Sequence, residues 1–268
     1  MKNNKSLLLV LLFGITLFNA CKKDDPSDID PTRKGNLRIS FENVVGNQSL
    51  QLNSGSYQNA LGESFNVTML NYYISNISLV DENGNVYTVP QNESYFLVKQ
   101  DVSASKSITI PNVPEGNYTS IRYTIGVDSL RSTMPIADRT GVLDPADGGQ
   151  GMYWMWNSGY IFMKFEGTST AASGGDIKYH IGGFGGYSSP TINNIKNVDL
   201  SFGAEAAEVR EANSSGPQLH IKADVLRLFT GSTDVSFAAN PVVMSGAYSG
   251  NIANNYVNMF TVDHVHND

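Results

Sequence analysis

Cysteine occurs once in these 268 residues, charged side chains make up only 16% of them, and basic residues are outnumbered by acidic ones. Each scarcity excludes something. One cysteine rules out a disulfide framework and any cysteine-built zinc or iron–sulfur site within the chain. Lys and Arg number 18 against 25 Asp and Glu, a formal net charge of −7. Such a balance argues against nucleic acid as a partner, because duplex binding rests on phosphate neutralisation. Catalytic signatures are missing as well. Ser158 precedes Gly159 without a Gly-x-Ser-x-Gly elbow, no Gly-x-Gly-x-x-Gly or Walker sequence occurs, and no Cys-x-x-Cys-His offers a haem attachment. The acidic residues are scattered, and no pair of them reads as general acid and base. The chain is therefore not expected to be an enzyme.

What is present points to β structure. Apolar residues reach 41%, and Gly 25, Tyr 13 and Phe 12 suit a chain of strands and frequent turns. At the N-terminus, Lys2 and Lys5 precede a mostly apolar run over residues 7–18. Spanning a bilayer takes about 20 apolar residues, so this run fits the core of a secretory signal instead. Leu17, Phe18, Asn19 and Ala20 then lead to Cys21, a sequence that resembles the lipobox of bacterial lipoproteins. The expected layout is a signal peptide over 1–20, a lipidated tether over 21–36 beginning at Cys21, and one β domain over 37–268. Removing Lys2 and Lys5 lowers the basic count from 18 to 16, so the mature side chains carry about −9 by the same counting. Lys22, Lys23, Asp24 and Asp25 follow Cys21, and a charged stretch there resembles the surface-export signals of Bacteroidetes lipoproteins. An outer-membrane location follows as an expectation, on the periplasmic face or the cell surface, with the membrane held through the lipid anchor.

Leu37, Ile39 and Phe41 alternate with polar neighbours, the period-2 pattern of a half-buried strand. Residues 67–80 are long, aromatic and β-branched. They end at Asp81-Glu82-Asn83-Gly84-Asn85, which predicts a hairpin into 86–89. Further strands are expected over 95–98, 107–110, 119–127, 160–165, 177–181, 198–202 and 219–225. No long amphipathic helix is visible, so the fold class is all-β, an antiparallel sandwich or jelly-roll-like single domain. Residues 128–151 form a long turn-rich loop, a feature that in a compact domain is usually functional or mobile.

Three stretches carry a resemblance. They are Leu70-Asn71-Tyr72-Tyr73-Ile74-Ser75-Asn76-Ile77; Gly141-Val142-Leu143-Asp144-Pro145 running on to Gly151-Met152-Tyr153-Trp154-Met155-Trp156-Asn157-Ser158-Gly159-Tyr160; and Tyr179-His180-Ile181-Gly182-Gly183. In order and spacing they resemble the MbnP-like family of exported copper-associated proteins, to which the MopE and CorA proteins also belong. The resemblance implies a β-rich domain and copper as the cofactor. It also implies a tryptophan oxidised to kynurenine by a dihaem cytochrome c peroxidase-like partner, with Trp154 and Trp156 as the positions for it. Two departures stand out. Neither tryptophan has a histidine within several positions, and many relatives carry a histidine on the first strand, where this chain has Asn43.

Copper takes imidazole, thiolate or thioether donors. The histidines are His180, His220, His264 and His266. His180 and His220 each alternate with apolar neighbours in expected strands. His264 and His266 are two apart, so an extended segment turns both to one side. These four are the expected metal ligands, with His180 and the His264/His266 pair brought together. Met152, Met155 and Met163 offer thioethers, although methionine among aromatics is usually packing. Asp144 and Asp147 in the long loop offer oxygen donors of the kind calcium prefers, without an EF-hand spacing. Asp128 reads as a cap or a ligand. A second reading from another class stays open: a β-sandwich interaction or glycan-binding module without metal, stacking sugars on Tyr153 and Tyr160.

Overall fold

A computed structural model describes residues 29–155 and 159–268. The expected signal segment, the expected lipidation residue Cys21 and the candidate Trp156 lie outside the described residues. Most of the principal strands follow the alternation read from the sequence; those over residues 153–154 and 260–266 are additions to it. The principal strands are β1 (Lys34–Val45), β2 (Ser64–Asp81), β3 (Tyr95–Lys99), β4 (Ser107–Pro114), β5 (Gly116–Ile125), β6 (Tyr153–Trp154), β7 (Gly159–Thr168), β8 (Asp176–Gly182), β9 (Lys196–Ser201), β10 (Gln218–Asp224) and β11 (Phe260–His266). The two α-helices among the described residues are short, α1 (Ser129–Thr133) and α2 (Ser249–Tyr256). Asp128 is the N-cap of α1, its carboxylate accepting the Arg131 backbone N–H at 3.1 Å, so the cap reading of that residue holds.

The strands form two sheets. The smaller runs β11–β10–β1, with β4 also paired to β1; the larger runs β9–β5–β2–β7–β8 with short strands added. The inner faces meet in one apolar core. Phe41 of β1 packs edge-on against Tyr72 of β2 at 6.1 Å and Tyr123 of β5 at 6.3 Å, and Phe260 of β11 lies 5.6 Å from both tyrosines. These edge-to-face contacts between large buried rings are the cross-sheet cement of the sandwich. The expected hairpin forms, with Leu79 opposite Tyr87. The sandwich is not purely antiparallel: β1 and β10 run parallel, Ile39 beside Leu219 and Phe41 beside Ile221, and a short pairing of β8 with Val242 and Val243 is parallel too. A long excursion through the other sheet separates β1 from β10, so no hairpin forces them antiparallel.

A second apolar cluster lies on the outer face of the larger sheet. Tyr73, Tyr160 and Phe162 alternate with Tyr72, Ile74 and Met163 of the main core and pack instead against Val127, Leu143, Met152 and Trp154. The loop expected over 128–151 is thus a roof over that face, and its carbonyls are pinned by buried hydroxyls. Tyr73 donates to the Val142 carbonyl at 2.6 Å and Tyr160 to that of Leu143 at 2.5 Å.

A bulge decides where the last strand points. On β11, Val262 opposes Ile221 and His264 opposes His220, leaving Asp263 as the extra residue between them. Phe260 lies in the core and Val262 and Val265 pack against it. The inward positions therefore change parity at Asp263. Without the bulge, strict alternation from Phe260 and Val262 would turn His264 and His266 into the core.

Candidate metal centre

Imidazoles from two neighbouring strands meet on the outer face of the smaller sheet. His220 sits between the buried Leu219 and Ile221 on β10 and so faces away from the core. The pairing register sets His264 directly opposite it and His266 opposite Gln218. The His220 and His264 rings stack with centroids 4.2 Å apart and planes at 19°, and His266 stands edge-on to both at 5.3 and 4.6 Å. One nitrogen from each ring lies within 4.8 Å of the other two. Nitrogens bound tetrahedrally to one ion at about 2.0–2.1 Å stand roughly 3.3–3.4 Å apart, so small side-chain rotations close the gap.

The surroundings of these rings favour a bound cation. Nε2 of His220 is buried with no hydrogen-bond partner, and an orphaned buried acceptor or donor is costly unless something is bound there. Burial, then the neighbouring His264 and His266, hold the His220 pKa below its usual value and keep the ring neutral with a lone pair to give. Asp263 accepts from His264 at 2.9 Å and pairs with Lys222 at 2.6 Å. His220 also lines a polar cleft of about 570 Å³ with Ser40, Glu42, Gln100 and Lys106. Asn43 borders the same cleft, with its side-chain amide already committed. It accepts from the Tyr72 hydroxyl at 2.9 Å and donates to Gln100 at 2.8 Å. Three imidazoles suit copper, zinc or nickel, and the residues present fit such an ion.

The other sequence candidates lie apart from this cluster. His180, on β8 of the larger sheet, pairs Nε2 with Glu166 at 2.8 Å and has Lys164 near the same carboxylate. The expected meeting of His180 with His264 and His266 does not occur, because strand alternation turns His180 onto the outer face of the opposite sheet. Among the described residues, the one convergence of three His, Cys, Asp or Glu donors is the trio itself, so Asp144 and Asp147 form no such group. Trp154 is 5% exposed within the second apolar cluster, its indole against Gly182, on the far side of the sandwich from the trio. It cannot complete that site. Met152 and Met163 are core residues, while Met155 is 72% exposed and joins neither cluster. Tyr160 is fully buried, which removes it as a sugar-stacking surface, and Tyr153 is half-buried with the Arg139 guanidinium 5.1 Å above its ring.

Fold and site together define an all-β sandwich protein with an imidazole trio on one outer face. The chain belongs to the MbnP family, whose model matches residues 34–245. That stretch includes His180 and His220 and stops before His264 and His266. The solved structure of MbnP from Methylosinus trichosporium has a similar fold, with a TM-score of 0.53 at 14% identity, covering 88% of this chain and 99% of that one. No curated protein matches the chain.

Proposed function

We propose that this protein is a copper-binding lipoprotein of the cell envelope, tethered through lipid on Cys21, that holds its ion with His220, His264 and His266. One observation carries the reading: three outward imidazoles converge around a buried ring nitrogen that no protein group satisfies. Family membership supports copper over the other ions an imidazole trio accepts. The chain would act by sequestering or delivering the ion, without a catalytic step of its own. A tryptophan oxidised by a dihaem peroxidase-like partner is separate from this site in our reading, because Trp154 sits behind the opposite sheet.

The test is competitive titration of the mature chain with Cu(I), Cu(II) and Zn(II). The wild type should bind one copper equivalent. Replacing His220, His264 or His266 singly by Ala should weaken it by more than the about 10–100-fold that an outer-shell partner contributes. His180→Ala should leave affinity unchanged. Equal affinity in all four variants would sink the assignment.

A further inference from the structure

Resting on the metal reading above, we propose that Asp263 is the positioning residue of the site, fixing His264 in the tautomer that leaves Nε2 to face an ion. The geometry is specific. In a regular strand, neighbouring residues point to opposite faces, and a carboxylate next to a histidine in sequence would stand behind the sheet. Here the bulge sets Asp263 and His264 together opposite His220. The carboxylate Oδ2 then lies 2.9 Å from His264 Nδ1. An ionised carboxylate only accepts hydrogen bonds, so the proton of a neutral His264 sits on Nδ1 and the lone pair on Nε2.

Asp263 is held in its turn. Lys222, also on β10, places Nζ 2.6 Å from Oδ1, the oxygen His264 does not use. Lys222 opposes Thr261 on β11, one pair along from the bulge, so both strands contribute to the clamp. The chain Lys222–Asp263–His264 thus has the form of a carboxylate–histidine relay, in which the outer partner orients the ring and fixes its tautomer. His180 has a carboxylate at similar distance, but Glu166 binds its Nε2 instead of Nδ1. The contrast explains why one histidine is arranged to give a lone pair outward and the other has its Nε2 spent on a hydrogen bond within the protein.

The experiment pairs nitrogen-15 NMR of the metal-free mature chain with Cu(I) and Zn(II) titrations, on wild type, Asp263→Ala and Asp263→Glu. His264 should carry its proton on Nδ1 in the wild type. It should shift towards the Nε2–H form in Asp263→Ala, and return in Asp263→Glu. Affinity for both ions should fall by about 10–100-fold in the Ala variant and recover in part in the Glu variant. An Nε2–H form of His264 in the wild type, or an Asp263→Ala protein with unchanged tautomer and affinity, overturns the proposal. If the wild type binds neither ion, the metal reading fails by itself, and the tautomer signals alone decide what Asp263 does. Asp263 lies on an exposed bulge, and circular dichroism checks that each variant is folded.

Discussion

The two outer faces of the sandwich use the same residue types to opposite ends. On the smaller sheet, three histidines stand uncovered by any loop of the roof kind, and one ring nitrogen is left without a partner. On the larger sheet, a loop of more than twenty residues covers the strands, and its polar groups are mostly paired off inside the protein. His180 is tied to Glu166, and Tyr73 and Tyr160 are tied to loop carbonyls. Both faces carry outward histidines at alternating strand positions. Only the smaller sheet gathers several of them, and there the His220 Nε2 stays unpaired while Asp263 holds His264 from its Nδ1 side. Ligand capacity here depends on what is left unsatisfied, and stability on what is satisfied.

The strongest way to break this contrast is at Arg139. It is 6% exposed, donates to the Ser132 and Met134 carbonyls at 2.8–3.2 Å, and lies 5.1 Å above both Tyr153 and Tyr160. Arg139→Met strips those carbonyls of their donors and removes two cation–π contacts. Part of the loss is offset, because Nη1 is itself buried without a partner. The expected cost is about 2–4 kcal/mol. For a chain of this size that corresponds to a fall in Tm of roughly 4–16 °C by calorimetry. Copper affinity at the trio should not change, since no residue is shared between the two faces. A matching loss of affinity would show that the faces are coupled.

A smaller effect is expected at Gly182, where β8 passes under the indole. A Cβ built there meets the Tyr160 carbonyl oxygen at 2.2 Å and the Trp154 ring at 2.8 Å. The first contact is with backbone and cannot yield cheaply. Gly182→Ala should therefore displace Trp154 and cost about 1–3 kcal/mol of overpacking strain. A shift in tryptophan emission together with the lowered Tm would check it. An unchanged spectrum would mean that the strand, and not the indole, gives way.

Much of this was legible in the sequence, and the failures have physical reasons. Period-2 alternation located most of the strands, because half-buried sheets impose that pattern directly. Sequence spacing also put His264 and His266 on one side. It did not reveal that His220 joins them and His180 does not, because strand pairing is a long-range property. Residues 218 and 266 meet only through the register of β10 with β11. One local signal was available. In Phe260-Thr261-Val262-Asp263-His264-Val265-His266 the apolar positions go from even to odd across Asp263, which is the mark of a one-residue bulge. Read that way, the segment predicts outward histidines and an adjacent carboxylate. The roof was harder still. Its 3-10 turns and side-chain-to-carbonyl bonds have no periodicity, so only its length was informative.

The gentlest probe of the contrast is pH. Burial is the largest influence on His180 and holds its pKa below the ordinary 6.5; Lys164 and Lys178 push the same way, and the hydrogen bond to Glu166 opposes them. The unfolded chain therefore takes up this proton at higher pH than the folded one. Above about pH 6.5 both states are neutral at His180 and the residue makes no pH-dependent contribution. As pH falls below that value the unfolded state gains the proton first, and stability is lost until the folded pKa is passed. His180→Gln abolishes this term while keeping a donor for Glu166. Urea unfolding between pH 7.5 and 5.5 should show the wild type losing stability relative to the variant, and the two curves running parallel above pH 7. His220 is shifted in the same direction but is present in both proteins, so it cancels in the difference. Parallel curves over the whole range would mean that Glu166 compensates the burial of His180 in full.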